Sequence, residues 1–358
     1  MKNNSFYYEN TILKLERKLP IKGKVLVSEG ETVSFDSIIA KAPLPEMSHL
    51  INLPLELNCD PYEVIQFLKK KDEEIVQIGE IIAETPGVFG FLKTQVISKF
   101  SGKIEISNDG SGTVLIREPS KNLEVPAFAD GLVTSILPCF GAELQVHCDL
   151  IYGIAGFGGE QTGILEINDE ILDSHQGKIV VKAGLTSEID LIKASEKKVA
   201  GLVIGGIEIQ ILEKFLEKDI VFPLTGDEKL GFSIILTEGF GRLTVNEVVY
   251  RILSENSGKI ASINASTQVR AGVKRPIIVF PKALSNVQKV EHPDCAFSIG
   301  QIVRITAGKH FAAIGKISEI PSGFFEIETE ASVKIAKVKI KGFDDSIIVP
   351  LKNMEILR

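Results

Sequence analysis

The chain has 358 residues, 44% hydrophobic and 24% charged, with a formal net charge of −7. That length fits two or three domains, and the balance is that of an ordinary globular protein, not of a chain that binds polyanions by bulk charge. The longest apolar runs, such as 201–205, are too short to cross a bilayer, and Met1–Tyr8 has no apolar signal core. The four cysteines (Cys59, Cys139, Cys148, Cys295) form no CxxC pair. A cytoplasmic protein without membrane span, disulfide framework, metal site or cofactor is therefore expected.

Residues 21–165 repeat one pattern: an aliphatic strand, a small turn with Gly or acidic residues, then another aliphatic strand. Gly23–Gly30 leads into Thr32–Val33 and Ser37–Ala40. A variant returns at Leu68–Val76, followed by Gly79–Ala83. Ser101–Ile106 with Gly112–Ile116 is a third copy, and Asp130–Ile136 with Gly141–Val146 a fourth. Short β-branched strands spaced by glycine turns predict an all-β sandwich or barrel. The pattern resembles the barrel-sandwich hybrid of lipoyl and biotinyl carrier domains. It is similar above all to the variant in the C subunit of bacterial electron-transport complexes and in large RNA polymerase subunits. Carrier domains present a modified lysine at a hairpin tip. Lys93, in Gly90–Gln95, is the nearest counterpart, but the usual Met or Asp flanks are missing. An ordinary solvated lysine is the plainer reading.

From about Gly177 strands alternate with helices. Lys178–Lys182, Ala200–Ile204 and Ser233–Thr237 read as buried strands. The intervening helices are expected over Ser187–Lys198, with Ile189, Ile192 and Val199 on one face, and over Glu208–Lys218. Thr244–Glu247 reads as a capping box, opening a helix with Val245, Val248, Val249, Ile252 and Leu253 on its apolar face. Ala261–Ile263 and Pro276–Phe280 add further strands. Such alternation predicts a parallel sheet covered by helices. The expected class is thus multidomain, α/β plus all-β. Its parts are a lead-in at 1–20, a barrel-sandwich hybrid at 21–165, a parallel α/β sheet at 166–283, a linker at 284–297 and a small β-barrel at 298–358. In this last part Ile299–Ile305, Gly308, Ala312, Gly315 and Lys316–Ile317 resemble the KOW motif of SH3-like barrels, with Ala312 where a glycine is usual.

In open parallel sheets ligands bind beyond the carboxyl ends of the strands. The loops expected there carry Thr186, Gly205, Gly206, Thr237, Glu238, Arg242, Arg270 and Arg275. The glycines would admit a ligand to the backbone, and the arginines would hold a phosphate or carboxylate. No dinucleotide or P-loop fingerprint is present. The glycine cluster Gly153–Gly163 reads as a junction allowing close packing. His147 beside Cys148, and His292 near Cys295, lack the further ligands a zinc site needs. In the last domain Arg304, Lys337, Lys339 and Lys341 read as a face for nucleic acid or a partner. The alternating glutamates Glu326, Glu328 and Glu330 offset it.

The near end-to-end resemblance is to uncharacterised bacterial proteins that combine these three domain types, carried most specifically by Thr237–Gly241 and Thr267–Pro276. It implies an architecture but no established activity; the expected function is a binding or scaffold protein whose barrel contacts RNA, the transcription–translation machinery or another protein, as KOW domains elsewhere do, and whose α/β loops take a small phosphate-bearing ligand. An enzyme using Glu238 as acid or base, and a carrier modified at Lys93, are the alternatives.

Overall fold

The computed structural model describes residues 5–44, 46–86, 93–120, 122–216, 230–266, 275–283, 297–306, 308–310, 313–326, 332–340 and 345–357. The protein is mostly β, with one eleven-stranded mixed sheet and several smaller sheets. Among the described residues no helix is long and apolar enough to cross a membrane.

Strands β1 (Tyr7–Lys18), β2 (Lys24–Val25), β3 (Thr32–Val33) and β4 (Ile38–Pro43) open an outer β unit. An inner unit interrupts it: β5 (Ser48–Asn52), short helices α1 (Leu53–Leu57) and α2 (Val64–Phe67), then β6 (Ile75–Val76), β7 (Ile81–Glu84), β8 (Gln95–Ile97), β9 (Gly102–Ile106) and β10 (Thr113–Arg117). The outer unit resumes with β11 (Asn122–Pro126), β12 (Gly131–Leu137) and β13 (Gly141–Tyr152).

The two units repeat one another strand for strand. β1 pairs with β13 as β5 pairs with β10, and β12 with β13 as β9 with β10. β4 pairs with β11 as β7 with β8, and β3 with β12 as β6 with β9. The turns match as well. The Ser28 amide donates to the Glu31 carboxylate at 2.8 Å, as the Lys71 amide does to Glu74 at 2.8 Å. The Phe35 amide donates to Asp130 at 2.8 Å where the Ile78 amide donates to the Ser101 hydroxyl at 3.1 Å. Thus the four sequence copies are two half-units twice over. The first closes on the fourth and the second on the third. At the start of each closing strand a glycine lets a neighbouring backbone approach: a Cβ would lie 2.7 Å from the Gln145 carbonyl oxygen at Gly131 and 2.3 Å from that of Arg117 at Gly102. Each unit fills its own core, Val33, Ile39, Val133 and Leu144 outside, and Ile82, Ile104, Val114 and Ile116 inside.

The chain continues through β14 (Ala155–Phe157), β15 (Glu160–Ile167), β16 (Ile179–Lys182), α3 (Glu188–Glu196), β17 (Gly201–Ile207), α4 (Ile209–Leu216), β18 (Ser233–Phe240), α5 (Glu247–Glu255), β19 (Ile260–Asn264) and β20 (Ile277–Pro281). β15 to β18 are parallel neighbours, and β14 closes the edge antiparallel to β18. Leu191, Ala194 and Leu212 of α3 and α4 pack on one face, against Val180, Leu202 and Ile234. Val249, Ile252 and Leu253 of α5 pack on the other, against Val181, Val203 and Ile235.

Two helix details differ from expectation. Ile189 and Ile192 of α3 face solvent, because Leu191 and Ala194 supply the buried stripe. The cap of α5 is Asn246, not Thr244: the Asn246 side chain accepts the Val248 amide at 2.9 Å. The boundary expected at 165 falls inside β15, whose first half pairs antiparallel with β19 and whose second half pairs parallel with β16. Since β13 also pairs with β20, the outer unit and the helix-covered strands share one continuous sheet.

The linker expected at 284–297 lies, except for Phe297, outside the described residues. Beyond it, β21 (Ile302–Ile305), β22 (Ile314–Glu319), β23 (Phe325–Glu326), β24 (Ser332–Val333), β25 (Ile335–Ile340), β26 (Ile347–Pro350) and β27 (Met354–Ile356) follow. Five of these form an antiparallel sheet in the order β26-β25-β22-β21-β27, with Val303, Ile317, Val338 and Ile356 in its core.

Because the inner unit has a core of its own, a fragment of residues 44–121 is expected to fold alone, with a cooperative thermal transition by circular dichroism. In that fragment Gly102→Ala should cost about 1–3 kcal/mol, since the added methyl group overlaps backbone that cannot swing away. A fragment that melts without cooperativity would show that the inner unit depends on the outer one.

Candidate functional site

The polar residues expected at the strand ends meet one expected on the C-terminal sheet. Arg304 lies in β21 between Val303 and Ile305, and its cross-strand partner is Glu355, between Met354 and Ile356 of β27. All the aliphatic neighbours point into the C-terminal core. Arg304 and Glu355 therefore point out of the opposite face, where the end of β18 covers them. Both are about 1% exposed.

The guanidinium of Arg304 is closely enclosed. Its Nε donates to Glu355 at 2.6 Å, and one Nη donates to the Thr237 carbonyl at 2.6 Å and to the Glu238 carboxylate at 2.5 Å. The other Nη also contacts the Glu355 carboxylate. The Phe6 ring lies 5.6 Å from the guanidinium carbon. Arg275 binds the second Glu355 oxygen at 2.7 Å, donates to the Gly153 carbonyl at 2.9 Å and stacks over Tyr152. On the far side Glu238 accepts the Asn246 amide at 3.4 Å, at the start of α5. The chain Arg275–Glu355–Arg304–Glu238 thus carries two positive and two negative charges. Burial alone would lower the Arg304 pKa; the Glu355 and Glu238 carboxylates outweigh it and hold the guanidinium above its ordinary range.

The expected anion site is occupied by the protein itself. Thr237 and Glu238 are buried, and the Thr237 hydroxyl donates to the Ile204 carbonyl at 3.2 Å. Gly205 and Gly206 face the chain's own backbone: a Cβ at Gly205 would lie 2.2 Å from the Thr244 carbonyl carbon, and one at Gly206 2.5 Å from the Gly239 oxygen. Their missing side chains admit the 239–244 segment. Thr186 sits apart on the loop after β16, with a shielded hydroxyl that has no hydrogen-bond partner among the described residues. Arg242 is exposed and takes no part in the ion chain. Arg270 lies outside the described residues. Arg275 and Glu238 do share a cluster, but through Glu355 and Arg304. With its carboxylate neutralised by Arg304 and shut from solvent, Glu238 is poorly suited to exchange protons with a substrate.

The partner-binding expectation divides in the same way. Arg304 is corrected from a surface cation to a buried one, because β18 covers its face of the sheet. Lys339 is exposed, Lys337 is half-buried and bound to Glu319 at 2.8 Å, and Lys341 lies outside the described residues. Lys93, at the loop end of the β7–β8 ladder, is bound to Glu84 at 2.9 Å. His147 and Cys148 point to opposite sides of β13. The imidazole meets the Ala283 carbonyl at 2.9 Å and Asn10 at 2.6 Å, while burial pushes the thiol up to about 12. Among the described residues no group of three His, Cys, Asp or Glu is placed to hold a metal ion. The residue that sequence reasoning passed over is Glu355. Its signal was a lone acid in a short aliphatic strand, matching the lone arginine in β21.

Removing one member of a buried ion chain strands its partners. Arg304→Ala and Glu355→Ala should each destabilise the protein by about 3–5 kcal/mol, while replacing Arg304, Glu238 and Glu355 together by apolar residues of similar volume should cost much less. Chemical denaturation will measure this, with Arg242→Ala as a control expected within about 0.5 kcal/mol of wild type.

No protein-family model matches the chain, and no curated protein sequence matches it.

Proposed function

We propose that the protein is a multidomain binding protein that contacts RNA phosphates through the outer face of its C-terminal sheet. In this reading the C-terminal sheet is a KOW-like SH3 barrel. The outer and inner β units are two nested barrel-sandwich hybrids and, with the helix-covered α/β strands, serve as its scaffold in the cytoplasm.

One observation carries the reading. Lys316 of β22 and Lys339 of β25 are direct cross-strand partners, and both are exposed. Like charges in that position repel and weaken the sheet. Neither forms an ion pair with a described residue, whereas Lys337 beside them is neutralised by Glu319. Ile302, the cross-strand partner of Lys316, and Ile348, the partner of Lys337, are also exposed, at 51% and 60%. A row of unneutralised lysines flanked by flat apolar side chains suits a phosphate backbone with bases laid beside it. Arg304 lies on the same non-core face of the sheet as these lysines; β18 covers that face around Arg304, while Lys316 and Lys339, further along it, stay exposed.

The full-length protein should bind a fluorescent single-stranded RNA, read by anisotropy, and binding should weaken steeply between about 50 and 200 mM salt. The double variant Lys316→Glu/Lys339→Glu should lose at least about tenfold in affinity. An unchanged affinity in the double variant, or no binding at low salt, would rule the reading out and leave a protein partner for this face.

A further inference from the structure

The nested repeat supplies an internal control for what is special about the inner unit. In the outer unit β1 runs to β2 through the short 19–23 connection, which lies against the molecule: the Leu19 amide donates to the Phe140 carbonyl and that of Gly23 to Cys139. The same place in the inner unit holds a longer excursion, 53–66, that includes α1 and most of α2. Its inward residues Leu53, Leu57 and Val64 join the core. Its outward residues include Leu55, Tyr62 and Ile65, which are 78%, 72% and 74% exposed. They are the three most exposed large apolar side chains among the described residues, and all sit on one short excursion.

Beside them lies a groove of about 260 Å³ between α2 and the 106–113 turn, floored by Val64, Leu68, Ile106 and Val114 and edged by Tyr62 and Ile65. That volume falls below the ~300–1,000 Å³ usual for small-molecule sites and suits an anchoring side chain. The rim is acidic. Asp60 is bound to the Tyr62 hydroxyl at 2.9 Å, Glu63 caps the Asp60 amide at 3.1 Å, Asp72 accepts the Ile106 amide at 2.8 Å, and Asp109 sits at the turn. None of the four forms an ion pair with a described residue. Of the nearby lysines, Lys70 is engaged with Glu74 and Glu80, Lys69 with Glu84 and Lys103 with Glu73, while Lys71 forms no ion pair with a described residue. The Ser107 and Ser111 hydroxyls hold the Asp109 pKa down to about 2, so its charge persists at any physiological pH.

We infer that this groove binds a short basic segment of a partner protein, one apolar side chain of which enters between α2 and the 106–113 turn while its lysines or arginines meet the acidic rim. Charge complementarity selects this occupant: an acidic peptide or a nucleic acid would meet four unneutralised carboxylates. The site is separate from the lysine face of the C-terminal sheet and does not depend on the RNA reading.

The test uses the full-length protein and three labelled synthetic peptides: a short lysine-rich peptide with one leucine and one phenylalanine, its alanine-substituted form, and its glutamate-for-lysine form. The first peptide is expected to bind, measured by anisotropy, and each of the others to bind at least about tenfold more weakly. Ile65→Lys, at an exposed position, and Asp109→Asn should each weaken binding of the first peptide, whereas Lys316→Glu/Lys339→Glu should leave it intact. No binding of the lysine-rich peptide, equal binding of the alanine form, or indifference to both Ile65→Lys and Asp109→Asn would overturn the inference. An RNA affinity that falls in Ile65→Lys would do so as well, by assigning the groove to nucleic acid.

Discussion

Arg304 is the constraint to which the architecture answers. A guanidinium shut away from water needs its charge compensated, and here the compensating groups come from distant parts of the chain: Thr237 and Glu238 at the end of a parallel strand, and Glu355 near the C-terminus. Glu355 in turn fixes Arg275, and the Phe6 ring lies against the guanidinium. The Ser5–Ile356 bridge and the burial of Leu357 in the large sheet's core bring both ends of the chain to the same place. An apolar joint would hold these parts as firmly. The ion chain adds directionality, because the Arg304 bonds to Thr237, Glu238 and Glu355 are made together only at one angle between the C-terminal sheet and the large sheet.

Much of the local structure was legible in the residues. The glycine and glutamate turns, the short alternating strands and the helices between buried strands all rest on nearest-neighbour chemistry, which a window of ten residues contains. Pairing was not legible. Four similar copies in a row read as one sandwich in chain order, whereas Val33 lies against Gly131 across the whole intervening inner unit. Strand pairing is a long-range choice, and near-identical half-units offer several local solutions of similar merit.

The candidate site failed to read from sequence for a related reason. Arg304 alternates with aliphatic residues, the pattern of a half-wet sheet, and a single chain does not show that its polar face will be covered by the end of β18. Gly205 and Gly206 are expected to admit a ligand to the backbone; the group they admit is the chain's own 239–244 segment. Lys339 is expected on a partner-binding face and Lys316 only within a glycine-spaced strand pair; that the two stand opposite one another is supplied by the register alone.

The insertion of one β unit into the hairpin of its twin also bears on how the chain finds its fold. The outer unit cannot close until residues 44–121 have been made, and closing so long a segment as loose coil is entropically slow. The inner unit changes this if it condenses first. Once β5 and β10 are paired, Pro43 and Asn122 leave the same end of a compact body, and the outer β4–β11 ladder is completed by a short-range search. Condensed first, the nested copy would act as a splint for the outer one. Damage to the inner core should be felt first as slow or failed maturation of the outer sheet, ahead of any loss in the finished protein.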